Sequence, residues 1–270
     1  MLSRPPLTVR RYPSLYWYFL LQRFKILMEY RANFFIGAAS TVAMQAAGVL
    51  TVWVVMAQIP NLKGWSLNEV LLVYGLITLA RSVNHMFADN LWTVGHNYIR
   101  SGGFDRFLVR PLDPLFHLLA DRFCHDGVGD FLVGATLVTV ALQGLHLPFT
   151  AALAANLIIG TFCGGLIFAA LNLITATTAF WIVESVPVTR SVFELNEFAK
   201  YPLSIYPKAI TLLLTWVVPF GFASYYPAAA ISGRLTGTPA WLAVPVSLLL
   251  AFIAYRVWCF GLRHYTGSGS

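Results

Sequence analysis

Charge is what this sequence has least of. Only 11% of its 270 residues are Asp, Glu, Lys or Arg, while 58% are hydrophobic and mean hydropathy is +0.68. A soluble domain carries about 25% charged residues, so an ordinary soluble class is excluded. Cysteine is also scarce. Cys124, Cys163 and Cys259 stand far apart and form no C-x-x-C pair, so neither a disulfide framework nor structural zinc is expected. Their expected role is small apolar packing. No G-x-x-x-x-G-K-[ST] occurs, hence no P-loop to cradle a nucleotide phosphate. No G-x-S-x-G elbow occurs either, which removes one route to a hydrolase. His117, Asp121, His125 and Asp126 cluster in sequence, with His117 and Asp121 one helical turn apart. They form no H-E-x-x-H pattern and a metal needs three or four convergent ligands, so a metal centre there is set aside. The first long apolar run starts only near Asn33 and is too long for a signal h-region, so a removable leader is not expected.

What is present is long apolar stretches. Uncharged or nearly uncharged runs cover about 33–58, 69–92, 127–145, 151–182 and 240–260. A run of about 20 residues at about 1.5 Å per residue crosses a hydrocarbon core of about 30 Å. The expected class is therefore all-α and polytopic. Residues 14–31 read as an amphipathic interfacial helix, with Ser14 as its cap. Tyr16, Leu20, Phe24 and Leu27 recur on one side, Trp17 and Tyr18 suit headgroup depth, and Arg23, Lys25 and Arg31 add positive charge.

Residues 184–234 admit two readings. Hydropathy makes 209–230 the fifth span, although Pro219 and Pro227 interrupt it. The alternative makes the more polar 186–202 the fifth span and 205–232 a re-entrant hairpin. Irregular backbone at membrane depth is tolerated where protein covers it. Either reading gives six spans.

The net charge of +7 and pI near 9.5 then follow from topology rather than from nucleic-acid binding. Arg4, Arg10, Arg11, Arg23, Lys25 and Arg31 precede the first span; Arg100, Arg106, Arg110 and Arg122 follow the second; Arg263 follows the last. The other side has Lys63 and Arg234 and little else. The positive-inside rule predicts a multi-pass protein of the inner (plasma) membrane with both termini in the cytoplasm.

The cytoplasmic stretch 96–123 gathers charge among Phe and Leu. Ser101 to Gly103 read as a helix stop, 104–108 as a short amphipathic turn, and Asp113 with Pro114 as the start of a new helix. Aromatic groups with paired charges suit a protein interface. An elbow facing water and headgroups has the same composition. Inside the spans, Arg81 is expected to snorkel or to pair with a carboxylate such as Asp89, or else to face a substrate. Gly160 and Gly164 form a G-x-x-x-G that permits close helix contact.

The segment 'YIRSGGFDRFLVRPLDPLFHLLADRF' resembles the cytoplasmic loop of ABC-2-type permeases, the membrane subunits of ATP-binding-cassette exporters, in the branch described as ABC-2 family transporter protein. 'EFAKYPLSIYPKAI…VVPFGFASYYPAAAISGR' (197–234) resembles the same branch. The resemblance implies one permease domain over 1–266; the closing Gly-Ser-Gly-Ser, 267–270, reads as an appended linker. It implies a pathway formed by two such subunits, alike or different, in membrane lipid. ATP and Mg would reside on separate ATPase subunits, with no cofactor on this chain. The coupling element falls on Gly103, Phe104, Asp105, Arg106, Phe107, Leu108 and Arg110. The resemblance also favours the polar fifth span, bringing Glu194, Asn196 and Glu197 toward the interior. A secondary transporter or channel needing no ATPase is the alternative. A membrane enzyme is disfavoured by the missing catalytic constellation.

Overall fold

Ser66 starts the central helix. Its hydroxyl accepts the Glu69 backbone N–H while Glu69 reaches back to the Ser66 N–H, a reciprocal cap. The helix that follows is mostly apolar, with Arg81, Asn84 and His85 toward its far end, and is buried over most of its length. In the computed structural model, residues 12–29, 31–59, 61–182, 184–235 and 241–266 are described. Arg4, Arg10, Arg11 and residues 267–270, expected to be a linker, lie outside that set, as do the side chains of Phe24 and Leu27.

The described residues are all helical apart from turns and one isolated bridge between Leu62 and Trp65. Helix α1 spans Tyr12–Glu29, α2 Arg31–Gln58 and α3 Leu67–Ala88. A 3₁₀ turn, Asp89–Thr93, and a π-helical turn, Val94–Ile99, extend α3. Two short helices follow, α4 Asp105–Leu108 and α5 Pro114–Ala120; then α6 Gly127–Gly144 and α7 Ala151–Thr177. Short pieces α8 Val186–Glu194, α9 Asn196–Ala199, α10 Lys208–Leu212 and α11 Tyr225–Ile231 precede α12 Ala243–Arg263. Ser14 lies within α1, which is already running at Tyr12, so it is not the cap the sequence suggests.

Among the described residues, five helices are long and apolar enough to cross a membrane, and six if the bent pair Lys208–Val217 and Phe220–Ile231 counts as one. The protein is a multi-pass membrane protein. Helix α3 is its axis: 72% of its most apolar window is buried, against 17% for α2. Helices α6 and α7 flank α3, α12 packs on α7, and α2 packs on α6. Small residues permit the closest approaches. A Cβ on Gly164 would lie 2.6 Å from Ala80 Cβ and 3.0 Å from Ala223 Cβ, and Gly160 faces Pro227. The G-x-x-x-G of α7 is therefore spent on internal packing against α3 and the bent pair.

Contacts at the two ends of α3 order the polar region. Glu184 pairs with Arg100, beyond the far end, at 3.4 Å. Lys63, before the near end, donates to the Ile205 carbonyl at 2.9 Å, and Trp65 Nε1 donates to Ser204 Oγ at 2.9 Å. The chain from 184 to 205 thus runs the length of α3. The bent pair, folded by 76°, leaves from this near end and returns to it, where Arg234 pairs with Glu69.

Candidate functional site

Gly102, at φ +70°, turns the chain sharply after the α3 extension, a conformation that glycine adopts without Cβ strain. The turn throws Phe104 and Phe107 inward, and both are fully buried. Phe104 meets the rings of Phe180, Trp258 and Tyr265 at 5.5, 6.1 and 5.0 Å. Phe107 meets Tyr98 and His117 at 5.3 and 4.8 Å. The aromatic groups of the stretch are therefore the buried root of α4. Its outer surface is Asp105, Arg106, Leu108, Val109 and Arg110, with Val109 83% exposed.

The charges of the stretch are largely paired. Arg106 bonds Asp121 at 2.8 Å and lies over the Tyr98 and Phe107 rings. Asp121 also accepts from Tyr98 at 3.1 Å and pairs with Arg23 of α1. Asp105 accepts from Tyr265 Oη at 2.9 Å, and burial with that bond pushes the Tyr265 phenol up to about 12. Asp113 caps α5 as expected, accepting from Phe116 N at 2.9 Å. Arg110 Nη1 lies 3.0 Å from His117 Nε2. Burial first, and the Arg110 charge second, hold His117 below the usual histidine range. Tyr12 meets the Phe116 ring edge-on and Tyr16 meets it at a tilt, docking α1 onto α5.

A second polar group lies inside the bundle. Asp130, in the first turn of α6, is wholly buried. Arg81 Nη2 donates to its Oδ1 at 2.6 Å, Gln45 Nε2 to the same oxygen at 2.7 Å, and His85 Nδ1 meets Oδ2 at 2.9 Å. Tyr74 then donates to Gln45 Oε1 at 3.1 Å. Arg81 therefore pairs with Asp130 and not with Asp89. Helices α3 and α6 run antiparallel, which sets Arg81 and Asp130 at one depth, while Asp89 begins the 3₁₀ turn two turns further on. A polar cavity of about 160 Å³ opens beside the cluster, lined by Arg81, Asn84, His85, Asp89, Trp92 and Phe193.

A family model described as ABC-2 family transporter protein matches residues 42–269. The chain belongs to that family. Neither curated proteins nor solved structures gave a match. In this ABC-2 chain, Asn196 is buried, whereas Glu194 and Glu197 are exposed to the surroundings of the single chain. Glu197 pairs with Lys200 at 2.7 Å, and Lys200 lies over the Tyr74 ring at 5.1 Å. Gly103 sits half-buried at the foot of α4, its N–H 3.3 Å from Ser101 Oγ. Asp130, His85, Gln45, Lys200 and Tyr265 escaped the sequence reading. For Asp130 a signal was available: a lone carboxylate at the start of an apolar span needs a buried cation, and Arg81 is the one Lys or Arg within α3.

Proposed function

We propose that the chain is the membrane-spanning permease subunit of an ATP-driven exporter. Its 1–266 form one permease domain, two such subunits form the pathway, and separate ATPase subunits dock at 96–123. The observation carrying this is the construction of α4. Its root, Phe104, touches the turn that follows α7 through Phe180, α12 through Trp258, and the segment after α12 through Tyr265. Its tip, Leu108 to Arg110, is exposed, with Leu108 and Val109 offering an apolar surface to a partner. A displacement of the tip passes through packed rings, which resist compression, to the ends of two spans. ATP and Mg supply the chemistry on the partner chain.

In this reading α2, α3, α6, α7, the stretch 184–205 and α12 are the six spans. The return of 208–231 to the Lys63–Glu69 end supports its assignment as a re-entrant element on the outer face. The clustering of Arg100, Arg106, Arg110, Arg122 and Arg263 at the opposite end supports a cytoplasmic location for that end in the inner membrane, with both termini there. The amphipathic α1, with Trp17 and Tyr18 exposed, lies along the inner interface.

The polar cluster around Asp130 favours one further reading, an ion-driven secondary transporter or a channel, because buried ionisable groups often line ion paths. Gentle detergent extraction and reconstitution separate the two. Co-purification of an ATPase subunit, and transport needing ATP, is the expected result. Transport by the reconstituted chain alone under an ion gradient would sink the permease assignment.

A further inference from the structure

The polar face of α3 continues past the Arg81–Asp130 pair to a group with a different character. His85, Asp89 and Cys124 each present a ligand atom within 4.8 Å of the other two. Asp89 follows four residues on, at the point where α3 passes into the 3₁₀ turn, and lines the same cavity as His85. Cys124 comes from the segment ahead of α6 and is held in place by its own backbone, whose N–H donates to the Met86 carbonyl at 3.1 Å. The thiol is buried.

Three features distinguish this trio from polar residues that merely happen to be neighbours. First, His85 is oriented as a ligand. Its Nδ1 is engaged by the Asp130 carboxylate at 2.9 Å, leaving Nε2 as the coordinating nitrogen. A carboxylate behind a histidine in this way fixes the ring and raises its basicity toward a metal. Second, the Asp130 carboxylate is already balanced by Arg81, so that cation is not left to repel an incoming ion at full strength. Asp126 Oδ2, 3.9 Å from Cys124 Sγ, adds a second carboxylate beside the thiol. Third, His85 and Asp89 line the polar cavity of about 160 Å³, large enough to hold water at an open coordination position.

We infer that His85, Asp89 and Cys124 form a binding site for a soft divalent cation of the Zn²⁺ class. An imidazole, a carboxylate and a thiolate suit Zn²⁺ and exclude Mg²⁺ or Ca²⁺, which prefer all-oxygen sites. Binding displaces the thiol proton to solvent, and the ion takes Cys124 as thiolate. The fourth position faces the cavity and takes water. The ion would pin the last turn of α3 to the segment joining α5 and α6, between the cytoplasmic elbow and the bundle. The site draws ligands from two segments 35 residues apart, counting from Asp89 to Cys124, which is why no C-x-x-C or H-E-x-x-H spacing announces it.

The test uses the full chain in detergent, free of any metal-binding tag, with Cys163→Ser and Cys259→Ser so that Cys124 is the one thiol. Co²⁺ is the probe and Zn²⁺ the competitor. The expected result is one Co²⁺ per chain with a near-ultraviolet thiolate-to-metal band, erased by Zn²⁺ and lost in Cys124→Ser. Asp89→Asn should weaken binding by more than the roughly 10–100-fold that loss of an outer-shell partner costs. Absence of a thiolate band, or equal Co²⁺ affinity in parent and Asp89→Asn, overturns the site. Should Cys124→Ser fail to elute as a monodisperse species, alkylation of Cys124 in the parent decides. Zn²⁺ must slow it, and an unchanged rate overturns the proposal.

Discussion

Arg81 of α3 and Asp130 of α6 meet at 2.6 Å, with the Asp130 side chain wholly buried. The carboxylate has three partners on two other helices, and removing it strands Arg81 and His85 in an apolar bundle. Breaking a buried pair from one side costs about 3–5 kcal/mol, whereas replacing both partners by apolar residues is often near neutral. Asp130→Leu is therefore expected to lower the thermal midpoint in detergent markedly. Arg81→Leu/Asp130→Leu should recover part of that loss. A double variant less stable than the single would show that Arg81 does not depend on Asp130.

The sequence made the apolar spans legible because each must match the bilayer core, and length with composition is enough to find them. It also exposed the Asp113–Pro114 start of α5, since capping is local chemistry. What it hid were partners distant along the chain. Asp89 is the nearby carboxylate that the sequence offers Arg81, but the antiparallel packing of α3 on α6 brings Asp130 to its depth. Phe104 and Phe107 look like outward anchors in sequence, yet their direction depends on the turn at Gly102 and on rings from α7 and α12. The course of 184–205 was also ambiguous. Its polar residues lower the hydropathy, and only the contacts of Glu184 with Arg100 and of Ile205 with Lys63 order its ends.

The inward and outward faces of the 103–110 element should separate in mutagenesis. Phe104→Ala removes a fully buried ring and is expected to cost about 3–5 kcal/mol of stability. Val109→Asp alters an exposed residue and should change stability by no more than about 0.5 kcal/mol, while lowering recovery of an ATPase partner in pull-down. The charge reversal Asp105→Arg/Arg106→Asp should weaken docking or substrate-stimulated turnover as well. Undiminished partner recovery and export in both exposed-face variants would remove these residues from the coupling role.

The Arg110–His117 contact should make the cytoplasmic elbow sensitive to acid. Arg110 donates to Nε2, so the neutral imidazole is the form that fits, and burial lowers the His117 pKa. The unfolded chain then binds a proton more readily than the folded one. Stability from this group is present above the ordinary histidine value of about 6.5 and falls as pH drops from there toward the lowered folded value. Thermal unfolding in detergent at pH 7 and pH 5 is the measurement. His117→Gln, which keeps an acceptor for Arg110, should reduce the difference between the two. An identical pH dependence in that variant would exclude His117 as a contributor.

Labelling from one side of the membrane tests the course of 184–231. The ends of the bent pair meet the turn before α3: Ile205 accepts from Lys63, and Arg234 pairs with Glu69. If 208–231 is re-entrant, Lys208 lies outside with Lys63. If 208–231 is instead the fifth span, Lys208 lies in the cytoplasm with Val109. Single cysteines at Lys63, Val109 and Lys208, in a chain whose three native cysteines are replaced by serine, report this directly in intact cells. An impermeant maleimide should label positions 63 and 208 and reach 109 only after permeabilisation. Labelling of 208 that tracks 109 would make the bent pair a crossing and return Glu194, Asn196 and Glu197 to a cytoplasmic loop.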